Sequence, residues 1–135
     1  MPLSAKTMAD AVRMGAEIFH ELKHRLSEDG QNTAIGDEGG FAPGIGKADE
    51  ALTYIMQAIE GAGYKPGKDI VLALDAAASE FYHAGKYVLE GEGKTLDFGK
   101  LLKYYETLVG RYPIVSIEDL MAENDRLGWK EITAL

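Results

Sequence analysis

The sequence of 135 residues contains no cysteine, which excludes disulfide bonds and thiolate metal sites. This absence fits a protein of a reducing compartment. No apolar run approaches 18 residues, so we expect no membrane span. Residues 1–7 lack the charged start and the apolar stretch of a secretory signal. We therefore expect a cytoplasmic protein.

Basic residues are in the minority, with 14 Lys and Arg against 22 Asp and Glu and a formal net charge of −8. Nucleic acid would be repelled on average, and no basic cluster interleaved with aromatic residues offsets this, so we expect no nucleic-acid partner. An acidic balance is compatible with divalent cations, although most acidic proteins are simply soluble. Hydrophobic residues make up 46% of the chain, which is enough to fold around a core.

Amphipathic helices and short apolar runs alternate along the chain. The spacing of apolar residues predicts helices over residues 7–26, 49–60 and 98–109, and the tail from residue 120 reads as a loop and the start of a helix. Apolar runs at residues 70–75 and 114–119 predict buried strands, and residues 80–90 predict a small hairpin. This alternation favours an α/β fold with parallel strands. No linker or repeat divides the chain, so we expect one domain over residues 1–135.

The apolar faces of these helices can be read from the same spacing. Thr7 is placed to cap the first helix, with Asp10 as its capping-box-like partner. The expected apolar stripe of this helix is Met8, Val12, Gly15, Phe19, Leu22 and Leu26. The expected core side of the third helix is Phe98, Leu101, Leu102, Tyr105, Leu108 and Val109.

An acidic residue closes each of the two predicted strands, Asp75 the first and Glu118 the second. A strand, a crossover helix and a parallel strand place both carboxyl ends at one edge, so the two carboxylates should face the same rim. In α/β barrels that rim carries catalysis, and hard oxygen ligands there would suit Mg²⁺. The alternative is that these are strand-end acids that cap the turns that follow.

Glu38 lies in the glycine-rich segment "IGDEGGFAPG", residues 35–44, beside Asp37. It is either a carboxylate held at a reaction centre or a polar residue of a solvated turn. The glycine spacing matches neither a dinucleotide fingerprint nor a P-loop.

The segment "HELKH", residues 20–24, matches the H-E-x-x-H pattern of zinc proteases. At about 100° per residue, His20 and His24 fall roughly 130–170° from the apolar stripe of the helix. His83 is the only other histidine, so no obvious third ligand is available. We therefore interpret this motif as part of a solvated helix face.

Four segments resemble enolase in order and spacing: "AKTMADAVRMGAEIFHELK" (5–23), "NTAIGDEGGFAP" (32–43), "ALDAAASEFY" (73–82) and "YPIVSIEDLMAEND" (112–125). The resemblance covers essentially the whole chain. It implies a central, half-barrel-like segment of an enolase-type TIM barrel, without the N-terminal capping domain.

The resemblance also implies an activity. Enolase is a Mg²⁺-dependent lyase of glycolysis that interconverts 2-phosphoglycerate and phosphoenolpyruvate plus water, so a phosphorylated small molecule is the implied substrate. Glu38 matches the family's general acid, which helps hydroxide leave as water. Asp75 and Glu118 match two of the three carboxylates that hold Mg²⁺, which stabilises the ene-diolate formed when a base removes a proton.

This sequence departs from the family pattern in two ways. Leu120 follows "SIED", where family members usually carry proline or glycine, and residues 124–127 replace an acidic and aromatic stretch. In addition, the family's lysine base, third metal carboxylate and phosphate-binding Arg and Ser have no match within residues 1–135.

Two hypotheses about function follow. The first is an enolase segment that is active only when the missing groups are supplied, so that these residues alone are inactive and bind Mg²⁺ weakly or not at all. The second is a non-catalytic fragment that acts, if at all, by self-association through exposed barrel edges.

Overall fold

The structure is a computed structural model that describes residues 1–134, in two compact units, Met1–Val71 and the part from Leu72 onward. The first unit contains helices α1 (Met8–Glu28) and α2 (Ala48–Gly61). The strands and α-helices of the second unit are, in order, β1 (Leu72–Asp75), β2 (Tyr82–His83), β3 (Lys86–Leu89), β4 (Lys94–Leu96), α3 (Phe98–Arg111), β5 (Ile114–Glu118) and α4 (Arg126–Thr133), and two 3₁₀ helices lie at Ala78–Phe81 and Glu90–Glu92. The predicted α/β class is confirmed, and no closed barrel forms among these residues. The expectation of a single domain stays a prediction.

Helix α1 begins at its predicted cap, and it ends at Glu28, beyond the predicted end at Leu26. The Thr7 hydroxyl accepts the backbone N–H of Asp10 at 3.1 Å, as the capping-box-like pattern predicts. At the other end, Gly30 has a φ of +69°, and the N–H groups of Gly30 and Gln31 bond to the carbonyls of Ser27 and Leu26. This is a Schellman cap, which glycine forms readily because it has no Cβ.

The buried face of α1 differs from the predicted stripe. Met14 and Leu26 are buried, whereas Met8 and Val12 are 80% and 66% exposed, so the prediction is wrong for the N-terminal half of the helix. Helix α2 packs against α1, and its buried residues are Leu52, Ala58 and Ile59. With 14 residues against 21, α2 is too short to cover the whole length of α1.

The second unit is built around the parallel pair β1 and β5, joined through α3. Side chains alternate between the two faces of this pair: Leu74 and Ile117 are half-buried, whereas the residues on either side of them are exposed. The prediction of strands buried on both faces is therefore wrong here. A parallel pair with one open face is the arrangement expected of strands that belong to a larger sheet.

A three-stranded antiparallel sheet, β2–β3–β4, is inserted between β1 and α3. The predicted hairpin is confirmed, and Ala84 and Gly85 form its two-residue turn with positive φ values of 48° and 80°. The third strand, β4, was not predicted, since three residues give too short a pattern to recognise.

The core of the second unit lies between this sheet, α3 and the loop after β5. Its buried members are Ala78, Tyr87, Leu101, Tyr105, Met121 and Ala122. Asp97 caps α3 by accepting the N–H of Lys100 at 2.9 Å. The predicted core side of α3 is confirmed except at Val109, which is 47% exposed because it lies near the end of the helix.

The tail forms α4, as predicted. No helix among residues 1–134 has the length and apolar character needed to cross a bilayer.

Candidate functional site

Asp75 and Glu118 are direct partners in the register of β1 and β5. The pairs Ala73–Ser116 and Leu74–Ile117 precede them, so the last residues of both strands are in step. Partner residues on neighbouring strands point to the same face, and the strands are about 4.8 Å apart. The structure therefore brings the two carboxylates together on the open face of the pair, as the strand arrangement predicts.

Backbone hydrogen bonds continue the pairing beyond the strand ends. The N–H of Ala76 donates to the carbonyl of Glu118, and the N–H of Ala78 donates to the carbonyl of Asp119, each at 3.0 Å. Ala77 and Asp119 have positive φ values of 45° and 47°, which is uncommon for residues other than glycine. Strained backbone of this kind often accompanies functional sites, because the surrounding structure must hold it in place.

The Asp75 carboxylate also caps its own turn, since Oδ1 accepts the N–H of Ala77 at 3.0 Å. Both interpretations of Asp75 are therefore compatible with the structure. Within the described part of the chain, no lysine, arginine or histidine lies at ion-pair distance from Asp75 or Glu118. Two exposed carboxylates side by side repel each other, and a cation between them would relieve that repulsion.

The donor set fits Mg²⁺ in part. Two carboxylates at an open edge are the kind of hard oxygen ligands that Mg²⁺ takes, usually together with waters and substrate oxygens. Residues 1–134 contain no cluster of three or more metal-ligating side chains. Asp75 and Glu118 would therefore hold one side of a magnesium site, and further ligands would have to come from elsewhere.

Glu38 lies at the tip of a tight loop in the first unit. Ile35 and Phe41 form an antiparallel bridge at the base of the loop, and Gly36 exchanges backbone bonds with Gly39 and Gly40 at 2.9 and 2.8 Å. The Phe41 ring stacks on Phe19 of α1 with ring centroids 4.3 Å apart. The base of the loop is thus fixed to a helix, whereas the Glu38 side chain is exposed.

The two histidines of the "HELKH" segment are exposed on α1, as the helical geometry predicts. His24 Nδ1 lies 3.3 Å from Glu28 on the same helix. Glu21 instead bonds to Arg25 at 2.9 Å, so the glutamate of the motif is engaged in an ion pair within the helix. These contacts are those of a helix surface.

Sequence reasoning missed a buried polar network behind the rim. The Tyr87 hydroxyl donates to Asp125 Oδ2 at 2.7 Å and accepts the N–H of Ala122 at 3.1 Å. Asp125 caps α4 by accepting the N–H of Gly128, three residues on, at 2.9 Å. An Asp directly before a predicted helix was the available signal. Its partner, a tyrosine 38 residues earlier, is not visible in any local pattern.

Burial governs the titration of the two core tyrosines. Desolvation raises the pKa of Tyr105 to about 12, because the phenolate would lose its hydration in the core. Burial, assisted by the neighbouring Asp125 carboxylate, raises the pKa of Tyr87 above its ordinary value. Both phenols are therefore neutral hydrogen-bond donors at neutral pH.

Two parallel strands joined through a helix, with an acid at the end of each strand, are the arrangement found along one segment of an α/β barrel. Comparison with known families agrees: residues 1–135 match the family described as "Enolase, C-terminal TIM barrel domain". The match spans the whole chain, and the protein therefore belongs to this family.

Proposed function

We propose that residues 1–135 supply part of an enolase active site, in which 2-phosphoglycerate and phosphoenolpyruvate plus water are interconverted. The observation that carries this proposal is the pairing of Asp75 with Glu118 at the carboxyl ends of β1 and β5. Family membership supports the reaction, and the rim position is where barrel enzymes place their chemistry.

Asp75 and Glu118 would hold Mg²⁺, as two of its ligands. The ion would supply positive charge that offsets the negative charge developing on the substrate. The protein's part is to keep the two carboxylates in step, which the shared register and the bonds from Ala76 and Ala78 accomplish. We propose that the phosphorylated substrate binds at the same strand ends, because waters and substrate oxygens usually complete the coordination shell of Mg²⁺.

Glu38 would act as the general acid that protonates the departing hydroxide. Its loop suits this role, because the bridge between Ile35 and Phe41 fixes the base while the carboxyl group stays accessible. Proton transfer by a positioned side chain typically contributes about 10²–10⁴-fold to a rate.

Residues 1–135 by themselves would be inactive. The resemblance assigns proton abstraction to a lysine and metal binding to a third carboxylate, and neither has a match in these residues. Without the base no proton is removed from the substrate, and two carboxylates would bind Mg²⁺ weakly. We propose a cytoplasmic location, since enolase acts in glycolysis.

A chimeric enolase in which these 135 residues replace the corresponding segment tests the proposal. We expect an active chimera, measured by the absorbance of phosphoenolpyruvate, whose turnover falls by about 10²–10⁴-fold with Glu38→Gln. Asp37→Asn, in the same turn, is the matched control and should leave turnover nearly unchanged. Full activity of the Glu38→Gln chimera would refute the assignment of the acid.

The same assay applied to the 135-residue chain tests its inactivity. We expect no phosphoenolpyruvate from 2-phosphoglycerate and Mg²⁺. Turnover that disappears with Glu38→Gln would show that the chain is a catalyst by itself.

A second candidate function is self-association of the chain. The open face of the β1–β5 pair favours it, and among residues 1–134 no further strand pairs with the outer edge of β1 or β5. Exposed strands pair readily with another copy. Val115, at the irregularity in the register between β1 and β5, is 59% exposed and adds apolar surface there. Light scattering at high concentration should detect the association, and a monomer throughout would refute it.

A further inference from the structure

The loop of residues 119–125 follows Glu118 directly and joins β5 to α4. It begins at Asp119 in the left-handed region, with φ +47°. A residue other than glycine holds this conformation at a cost in energy, so neighbouring groups must keep it in place. The groups that fix this loop therefore also control where β5 ends.

Tyr87 of β3 contacts the loop at two points. Its side chain is fully buried, and its hydroxyl both donates to the Asp125 carboxylate and accepts the N–H of Ala122. A single phenol oxygen thus connects the inserted antiparallel sheet to the far half of the loop. Buried hydrogen bonds of this kind are costly to break, because the partners are left without water.

Asp125 has little freedom to move away from Tyr87. Its carboxylate is almost completely buried, and its second oxygen accepts the N–H of Gly128. A Cβ on Gly128 would lie 2.6 Å from Asp125 Oδ2, so the carboxylate fills the space beside this glycine. The hydroxyl of Tyr87 and the first turn of α4 therefore hold one carboxylate from two sides.

The near end of the loop is bonded to the turn after β1. The carbonyls of Glu118 and Asp119 accept the N–H groups of Ala76 and Ala78. A shift of the loop would loosen these bonds, and with them the alignment of Glu118 opposite Asp75.

We propose that Tyr87 is a positioning residue for the rim: through Asp125 and Ala122 its hydroxyl fixes the loop after β5 and so keeps Glu118 aligned with Asp75. The consequence for Mg²⁺ rests on the proposed function, whereas the alignment itself does not. In this role the hydroxyl makes the hydrogen bonds that position the loop, whereas the ring packs in the hydrophobic core.

Tyr87→Phe tests this inference because it removes the hydroxyl and keeps the ring. Tyr82→Phe is the matched control, since Tyr82 packs against the Tyr87 ring at 4.7 Å and its hydroxyl makes no bond to the loop among the described residues. Hydrogen exchange at the amides of Ala76 and Ala78 reports directly on the bonds to Glu118 and Asp119.

We expect exchange at these two amides to accelerate about tenfold in Tyr87→Phe, because this variant loses both buried hydrogen bonds of the hydroxyl. Tyr82→Phe should exchange like the wild type, and amides inside α3 should be unchanged in both variants. Unchanged exchange at Ala76 and Ala78 in Tyr87→Phe, or equal acceleration in Tyr82→Phe, would overturn the inference. If Tyr87→Phe does not fold, Asp125→Asn, which neutralises the carboxylate that accepts the Tyr87 hydroxyl, is tested by exchange at the same two amides.

Broadening of backbone signals by Mn²⁺ then tests the consequence for the metal. We expect the apparent affinity at Asp75 and Glu118 to weaken several-fold in Tyr87→Phe and to stay the same in Tyr82→Phe. Absence of broadening there in the wild type would contradict the proposed metal role, while the exchange measurement still decides whether Tyr87 positions the rim.

Discussion

Asp75 and Glu118 stand opposite each other at the last paired position of β1 and β5, and among the described residues no basic side chain lies at ion-pair distance from either. Two carboxylates on neighbouring strands repel, and the protein leaves this repulsion uncompensated. A substitution that removes one of these two charges should therefore relieve the repulsion at the strand ends. This relationship underlies the first prediction.

We expect Glu118→Gln to raise the melting temperature slightly in the presence of a chelator, because one of the two repelling charges is removed. The same variant should bind Mn²⁺ more weakly than the wild type. Glu106→Gln, which neutralises an exposed glutamate of α3, is the control and should change neither quantity. Thermal unfolding with and without divalent cation measures both effects. A melting temperature of Glu118→Gln below that of the wild type in chelator would contradict the prediction.

The second prediction concerns alkaline pH. The pKa of Tyr105 is raised to about 12 in the folded chain, against about 10 in an unfolded chain. The folded state therefore holds this proton more tightly, so the stabilisation is complete below pH 10 and is lost as the pH rises toward 12. The free energy of unfolding, measured by urea titration, should fall across this interval. Tyr105→Phe should flatten the fall, and an unchanged slope in that variant would refute the assignment.

A pair of glycine substitutions forms the third prediction. Gly15 lies within α1 with open space at its Cβ position, so Gly15→Ala should stabilise the protein by about 0.5–1 kcal/mol. At Gly128 a Cβ would meet the carboxylate of Asp125, which Tyr87 holds in place. Gly128→Ala should therefore destabilise by about 1–3 kcal/mol. Urea denaturation of both variants gives the comparison, and equal signs would contradict it.

The fourth prediction concerns the open face of the β1–β5 pair. Val115→Lys places a charge on this face and should lower the apparent mass of the chain in light scattering at high concentration. Val109→Lys, on an exposed position of α3 at 47% exposure, should have little effect. Equal effects of the two variants would mean that association follows general apolar exposure and not the strand pair.

Much of the architecture could be predicted from local signals. A capping hydroxyl predicts the start of α1 at Thr7, and a short turn predicts the hairpin at Ala84 and Gly85. Helical spacing predicts the central parts of α1, α2 and α3. Each of these signals lies within a few residues of the chain. They can be recognised because the hydrogen bonds and turns that produce them join residues close together in the sequence. Family membership also followed from the sequence, since four long segments match in order.

The errors in the prediction arose where burial depends on a distant partner. Met8 and Val12 satisfy the helical period of α1, yet they are exposed because α2 is too short to cover them. The strand at residues 72–75 is apolar enough for burial on both faces, but one face of the pair is open in this chain. Periodicity shows which residues share a face and not whether anything covers it.

At the candidate site, the sequence by itself determined that Asp75 and Glu118 end two strands of a parallel pair, and the resemblance gave Glu38 its proposed role. Only the tertiary structure decided that the two rim acids are exact register partners and that Tyr87 and Asp125 meet behind them. The physical reason is separation along the chain. Register and buried hydrogen bonds join residues tens of positions apart, so they depend on how strands, helix and loop pack together.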